Sequence, residues 1–370
     1  MFQRALRLVL LCTSLSAAIF VTALSGQTSS RVDNVLVVTM DGMRWQEVFG
    51  GLASELLTKQ AGGVSDSDAA PLQARFGGET ADVRREKLMP FLWTVVAKRG
   101  QIFGDPAHES VARVTNGLRF SYPGYNELLS GVADPRIDSN DKVANPNVTV
   151  LEWLNRQPSY KDKVAAFASW ELLPWILNEA RSGIPSNGEG APVANPTSER
   201  EHMINVFAAD LPPYWGSTRF DAATGMGALE YLKRHRPRVL YVMLGETDEW
   251  AHGRRYDLYL DAAWRNDRFI KQLWETAQGL PEYANRTALL ISTDHGRGNE
   301  AKDWTSHGRE VPVAERIWMA VLGPNVPALG VRKGGEVTQA QIAATIAALL
   351  GEDFVKAEPK AAPPIALQRH

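Results

Sequence analysis

Three largely apolar runs punctuate this chain, and each leads to an acidic residue at its carboxyl end. Val35 to Met40 runs into Asp41, Val239 to Leu244 is followed four residues later by Asp248, and Ala288 to Thr293 runs into Asp294. Apolar runs of this length without polar alternation predict strands buried on both faces, as in a parallel sheet. The strands are expected over 34–41, 238–244 and 287–293, with others at 164–168 and 316–322. Helical spacing fills the intervals: 88–98 with Pro90 in its first turn, 122–129 with Pro123 in its first turn, 170–180, 221–235, 256–278, and 338–350 with Thr338 as N-cap. Residues 102–120 read as mixed strand and loop. Alternating strands and helices predict an α/β fold: a mostly parallel central sheet flanked by helices. Residues 45–86 and 181–220 are rich in Gly, Ser, Pro and Asn, and are expected to be insertions forming a cap over the site. The Pro/Ala/Lys-rich stretch 357–370 is expected to be a flexible tail. No internal repeat is present.

Composition adds two constraints. The chain has 370 residues, 44% hydrophobic and 22% charged, with a net charge of −2. That is one large globular domain, and the charge argues against a nucleic-acid scaffold. Arg4 and Arg7 precede an apolar stretch from Leu8 to about Leu24, followed by small and polar residues. This predicts a signal peptide over 1–26, a mature domain over 27–356 that is secreted or periplasmic, and no stable membrane span after cleavage. The single cysteine, Cys12, falls inside the leader. The mature chain thus has no disulfide and no thiolate, so a metal site must use Asp, Glu, His or hydroxyl groups.

Ligands of open α/β sheets bind at the carboxyl ends of the strands, where Asp41, Asp248 and Asp294 fall. Asp248 and His252, spaced i, i+4, share one helix face. Asp294 and His295 are adjacent at a strand end, and His307 lies in a Ser-His-Gly step. One histidine alone reads equally as a hydrogen-bonded structural group, and one Asp after a strand as a helix cap. Together, three of the seven histidines stand in Asp-x-x-x-His, Asp-His-Gly and His-Gly contexts. The other four (His108, His202, His235 and His370) read as surface or core. Carboxylates mixed with imidazoles suit divalent metal ions, zinc first among them. Ser121 precedes Tyr122-Pro-Gly and would stand at a helix N-terminus, as a cap or as a nucleophile beside metal.

With these residues in this order, the chain resembles the alkaline phosphatase superfamily, and within it the nucleotide pyrophosphatase/phosphodiesterase branch. The order Asp41, Ser121-Tyr-Pro, Asp248-x-x-x-His252, Asp294-His-Gly, His307-Gly spans 41–308. The resemblance implies a phosphate ester hydrolase with two divalent metal ions about 4 Å apart. One would be held by Asp41, Ser121, Asp294 and His295, the other by Asp248, His252 and His307. Ser121 would form a phospho-enzyme intermediate. The branch's Thr-Phe-Pro-Asn-His is here Ser121-Tyr-Pro-Gly-Tyr125, and its Asp-His-Gly-Met is here Asp294-His-Gly-Arg297. A family asparagine that holds a phosphoryl oxygen has Asn140 as its nearest counterpart, a residue or two off register; a turn asparagine is an equal reading. Lys142 or Arg297 could bind a non-bridging oxygen, or be a solvated or ion-paired group.

The expected partner is a small-molecule phosphate ester. A sulfatase-like reading competes, because Ser121-Tyr-Pro-Gly-Tyr resembles the Cys/Ser-x-Pro-x-Arg frame. Tyr125 replaces the arginine, however, and the mature chain has no cysteine to oxidise. A phosphoglycerate mutase-like enzyme shares the metal logic but is cytosolic, and a secreted binding protein that kept the ligands is a fourth reading. Trp45, Trp170, Trp175, Trp215, Trp250 and Trp304 could stack an aryl or nucleoside group or belong to the core.

Overall fold

The computed structural model describes residues 32–188 and 190–368. The leader, with Cys12, and His370 lie outside them. Seven strands form the central sheet: β1 Asn34–Met40, β2 Gln101–Phe103, β4 Val164–Ala168, β5 Val239–Leu244, β6 Thr287–Ser292, β7 Met319–Leu322 and β8 Gly330–Val331, while β3 Val111–Arg113 pairs with β9 Glu336–Thr338 in a small parallel sheet. The order across the main sheet is β4-β5-β1-β6-β7-β2-β8. β4, β5, β1 and β6 run parallel, and β7 runs antiparallel to both its neighbours.

Both faces of the sheet are covered, which is why the strands carry apolar residues without alternation. Leu36, Val38 and Met40 point into one core with Leu240, Val242, Leu289 and Ile291, facing the helix Tyr256–Gln278. Val35 and Val37 point into the other with Tyr241, Met243 and Leu290, facing the helices Ser121–Ser130 and Gln341–Leu349. The expected helices over 221–235 and 256–278 form over those residues.

Several expectations are corrected. The helix expected over 170–180 is two single turns, Leu173–Ile176 and Glu179–Ser182, broken at Asn178 with φ 45°. The helix expected over 338–350 begins at Gln341, not Thr338; Thr338 ends β9, and its N–H is taken by the Gln341 side chain at 2.9 Å. The strand expected over 316–322 is only 319–322. Residues 45–86, expected to be an insertion, form short helices and loops from which Leu56, Val64 and Phe76 enter the core. Residues 357–368 of the expected flexible tail pack on the body: Ala361 and Ile365 are buried, Ala362 N–H donates to Gly131 O, and Ile365 N–H to Thr345 Oγ1. Both expected insertions touch segments that carry the histidines. Ala61 O accepts from Trp304 Nε1 at 2.9 Å, and the Trp215 ring lies 4.7 Å from that of Trp250.

Candidate metal centre

The three central strands β5, β1 and β6 are neighbours, so the loops leaving their carboxyl ends are neighbours too. Asp41 follows β1; its N–H bonds to Leu244 O at 2.8 Å, and its carbonyl accepts from Thr247 Oγ1 at 2.6 Å. Gly42, with φ +56°, then donates to Asp294 Oδ1 at 3.0 Å. Only glycine fits there, because a Cβ would stand 2.7 Å from Asp248 Oδ1. Gly124 has a similar part: a Cβ would stand 2.4 Å from Asp294 O, so its absence lets the Ser121–Ser130 helix settle on the Asp294 loop. These contacts bring the acids from all three strand ends to one point.

Two groups of ligand atoms result. In the inner group, His295 Nε2 lies 3.5 Å from Asp41 Oδ1, 3.4 Å from Asp294 Oδ2 and 3.4 Å from Ser121 Oγ. Nδ1 of His295 is 2.9 Å from Gly296 O, so it carries the proton and leaves the Nε2 lone pair turned to the acids. In the outer group, His252 Nε2 lies 3.1 Å from Asp248 Oδ2 and 3.0 Å from His307 Nε2. His307 Nδ1 faces Arg119 O at 3.2 Å, which again frees Nε2. The His295 and His307 rings stack 4.0 Å apart and join the groups. In two trios, Asp41, Asp294, His295 and Asp248, His295, His307, the ligand atoms all lie within 4.8 Å of one another. His295 thus completes the second trio where the resemblance implies His252, although His252 touches both of its other members.

Burial raises Asp41, and the facing Asp294 and Asp248 raise it further; burial likewise pushes Asp294 up to about 7. Burial would also raise Asp248, but the charges of Arg297 and His252 hold it well below the usual carboxylate range. Burial lowers His295 to about 4 and His307 to about 2, so both imidazoles are neutral at physiological pH. Asp41 Oδ1 and Asp294 Oδ2 are buried without a hydrogen-bond partner. Partnerless carboxylate oxygens beside neutral imidazole nitrogens are an incomplete set that a divalent cation would complete.

No protein-family model matches the sequence, and no curated protein matches it. Solved structures do match in fold. Wild-type alkaline phosphatase PafA aligns with 90% of this chain and 98% of its own, at TM-score 0.56 and 10% identity. Inactive murine ectonucleotide pyrophosphatase/phosphodiesterase 5, in complex with AMP, aligns with 90% of this chain and 97% of its own, at TM-score 0.53 and 12% identity. Ps i-CgsB, in complex with k-i-k-neocarrahexaose, aligns with 90% of this chain and 75% of its own, at TM-score 0.53 and 13% identity. The chain has the alkaline phosphatase fold.

Within this alkaline phosphatase-like frame, Ser121 is the first residue of its helix, 6% exposed, and faces the inner group. Asn140 is brought beside it: Asn140 Oδ1 accepts the Tyr122 N–H at 3.0 Å. Lys142 pairs with Glu171 at 3.1 Å and lies 5.0 Å from the Trp175 ring. The Arg297 side chain has no exposure; its Nη2 bonds to Asp248 Oδ1 and its Nη1 donates to Thr305 O at 2.5 Å. Tyr125 went unrecognised as a site residue. Its hydroxyl donates to Asp41 Oδ2 at 2.9 Å, and the signal was its i, i+4 spacing from Ser121. Gln339, which donates to Asp294 O at 2.8 Å from a distant segment, gave no such signal. Of the six tryptophans singled out in the sequence, Trp250 and Trp304 are buried, while Trp45, Trp170, Trp175 and Trp215 are partly exposed.

Proposed function

We propose that this chain is an exported metal-dependent hydrolase of phosphate esters that works through a phosphorylated Ser121. The observation that carries this reading is the inner group: Ser121 Oγ stands 3.4 Å from His295 Nε2, beside two buried carboxylates that each have a partnerless oxygen. The donor set fits two divalent cations, zinc before others. Asp41, Ser121, Asp294 and His295 would hold one, and Asp248, His252 and His307 the other. When bound, they supply positive charge that lowers the serine pKa and offsets charge on the phosphoryl oxygens.

The residues themselves would act as follows. Ser121 Oγ, having lost its proton, attacks phosphorus; the Oγ–P bond forms and the ester P–O bond opposite it breaks. The leaving alkoxide takes a proton from solvent. Water then attacks the same phosphorus, the Oγ–P bond breaks, and the serine recovers a proton. The N-terminus of the Ser121–Ser130 helix favours the anion. Asn140, held by the Tyr122 N–H, would offer its Nδ2 donor to a phosphoryl oxygen. Arg297 and Lys142 are each committed to an acid, Asp248 and Glu171, which favours a diester, with one negative charge, over a monoester.

Export rests on the leader, which lies outside the described residues. No helix among the described residues is long and apolar enough to cross a membrane. The test is metal analysis of the purified protein with turnover of a nitrophenyl phosphate diester, a monoester and a sulfate. About two zinc ions per chain, with diester turnover abolished in Ser121→Ala, is the expected result. Sulfate turnover with one calcium ion would favour the sulfatase reading, and metal without any turnover a binding protein.

A further inference from the structure

Among the described residues, Arg297 is the cation built into this centre, and its hydrogen bonds to the ligand set go to only one half of it. Its Nη2 donates to Oδ1 of Asp248 and to the Asp248 backbone oxygen at 3.2 Å, while Nη1 ties it to Thr305 O. Gly42 closes over the pair, since a Cβ there would stand 2.8 Å from Arg297 Nε and 2.7 Å from Asp248 Oδ1. The guanidinium occupies Oδ1 and leaves Oδ2 turned to His252 Nε2 at 3.1 Å. The inner carboxylates have neutral side-chain and backbone donors: Tyr125 OH on Asp41, and Gly42 N–H and Thr293 OH on Asp294. The halves also differ in exposure. Asp41, Asp294 and His295 are buried, whereas the His252 side chain is 48% exposed.

We propose that Arg297 makes the two halves unequal. It holds Asp248 in its ligating pose when no cation is bound, and its charge, donated to one carboxylate oxygen, weakens the hold of Asp248, His252 and His307 on a divalent cation. The outer cation is then the last to load and the first to leave. Two effects set the sign. A cation hydrogen-bonded to a ligating carboxylate withdraws electron density from it, and a second positive charge a few ångströms away repels the metal in a poorly screened site, which outweighs the orientation that the guanidinium gives Asp248. The proposal rests on the two-metal reading above and concerns a residue at which the chain departs from the Asp-His-Gly-Met of the branch it resembles.

The test is zinc titration of the full chain, stripped of metal, in competition with a chromophoric chelator. Wild type is expected to take up two zinc ions in steps about 10-fold or more apart in affinity. His252→Ala should abolish only the weaker step, which identifies it as the outer one. Arg297→Met should tighten the weaker step by about 10-fold and the tighter one by less, while Arg297→Lys, which keeps the charge, should retain the wild-type gap. If the methionine variant does not fold, Arg297→Gln, a neutral donor, carries the same expectation. Two equal steps in wild type, or an outer step unchanged or loosened in the neutral variants, would overturn the role of Arg297 and leave the two-metal reading standing. Uptake of fewer than two zinc ions by wild type would overturn that reading itself.

Discussion

Asp221 and Glu246 cap each other's helices. The Asp221 carboxylate accepts the N–H groups of Gly245 at 2.7 Å and Glu246 at 3.1 Å, at the start of the helix that carries Asp248 and His252. Glu246 Oε1 accepts the Asp221 N–H at 2.8 Å, at the start of the helix Asp221–His235. The orphan amides of both helix starts are thereby satisfied by acids on the other helix. Asp221→Ala removes the cap from the ligand-bearing helix and strips Ser169 and Asn266 of a buried acceptor. A loss of about 2–3 kcal/mol in unfolding free energy is expected, with weaker zinc uptake at the outer group. Denaturant unfolding and a zinc titration check the two parts separately.

The same carboxyl makes stability depend on pH. Burial, and then the facing Glu246, raise Asp221 from 3.8 to about 7. The folded chain therefore binds a proton there that the unfolded chain has already released. Its contribution to stability is fully present below the unfolded pKa, near 4, and is lost as pH rises to about 7. Asp221→Asn carries no titrating group, so the fall in unfolding free energy between pH 4 and 7 should be shallower than in wild type. Equal slopes in the two proteins would show that Asp221 is already ionised in the fold at low pH.

Tyr125→Phe tests the support of the inner group. The phenol is wholly buried and donates to Asp41 Oδ2, while Asp41 Oδ1 has no partner. Removing the hydroxyl frees both oxygens of Asp41 and loosens its orientation. A drop of about 10-fold or more in metal affinity or in kcat is expected, with little change in the fold. Zinc competition and steady-state kinetics on the diester read it directly. A variant with unchanged zinc affinity and kcat would make the hydroxyl a packing feature only.

What was legible in the sequence follows from which interactions are local. Val35–Met40 and Val239–Leu244 declare themselves because strands buried on both faces must be apolar throughout, and the acids after them follow from strand order. Asp248 and His252 are readable as a pair because a single helical turn separates them. The antiparallel sense of Met319–Leu322 was not, since an apolar run carries no direction. Nor was the role of Arg297, whose partner lies 49 positions away and meets it only when β5 and β6 flank β1. The segment 357–368 looked free because its composition is that of a tail. Ala362 and Ile365 are anchored by Gly131 O and Thr345 Oγ1, which local sequence does not reveal.

Asn140 can be divided into its two possible contributions by a pair of substitutions. Its Oδ1 fixes the first turn of the Ser121 helix by accepting the Tyr122 N–H at 3.0 Å, and its Nδ2 is the donor assigned to a phosphoryl oxygen. Asn140→Asp keeps an acceptor for Tyr122 and replaces the donor with a negative oxygen facing an anionic substrate. Asn140→Ala removes both groups. If the amide only capped the helix, the aspartate variant would retain wild-type kcat/KM, and the alanine variant would lose about 1 kcal/mol of stability. The expected outcome is different: kcat/KM on the diester falls by about 10²–10³ in both variants, at least as far in Asn140→Asp, while the aspartate variant keeps the wild-type Tm. Retention of activity in Asn140→Asp would remove Asn140 from the reaction and leave it as a cap.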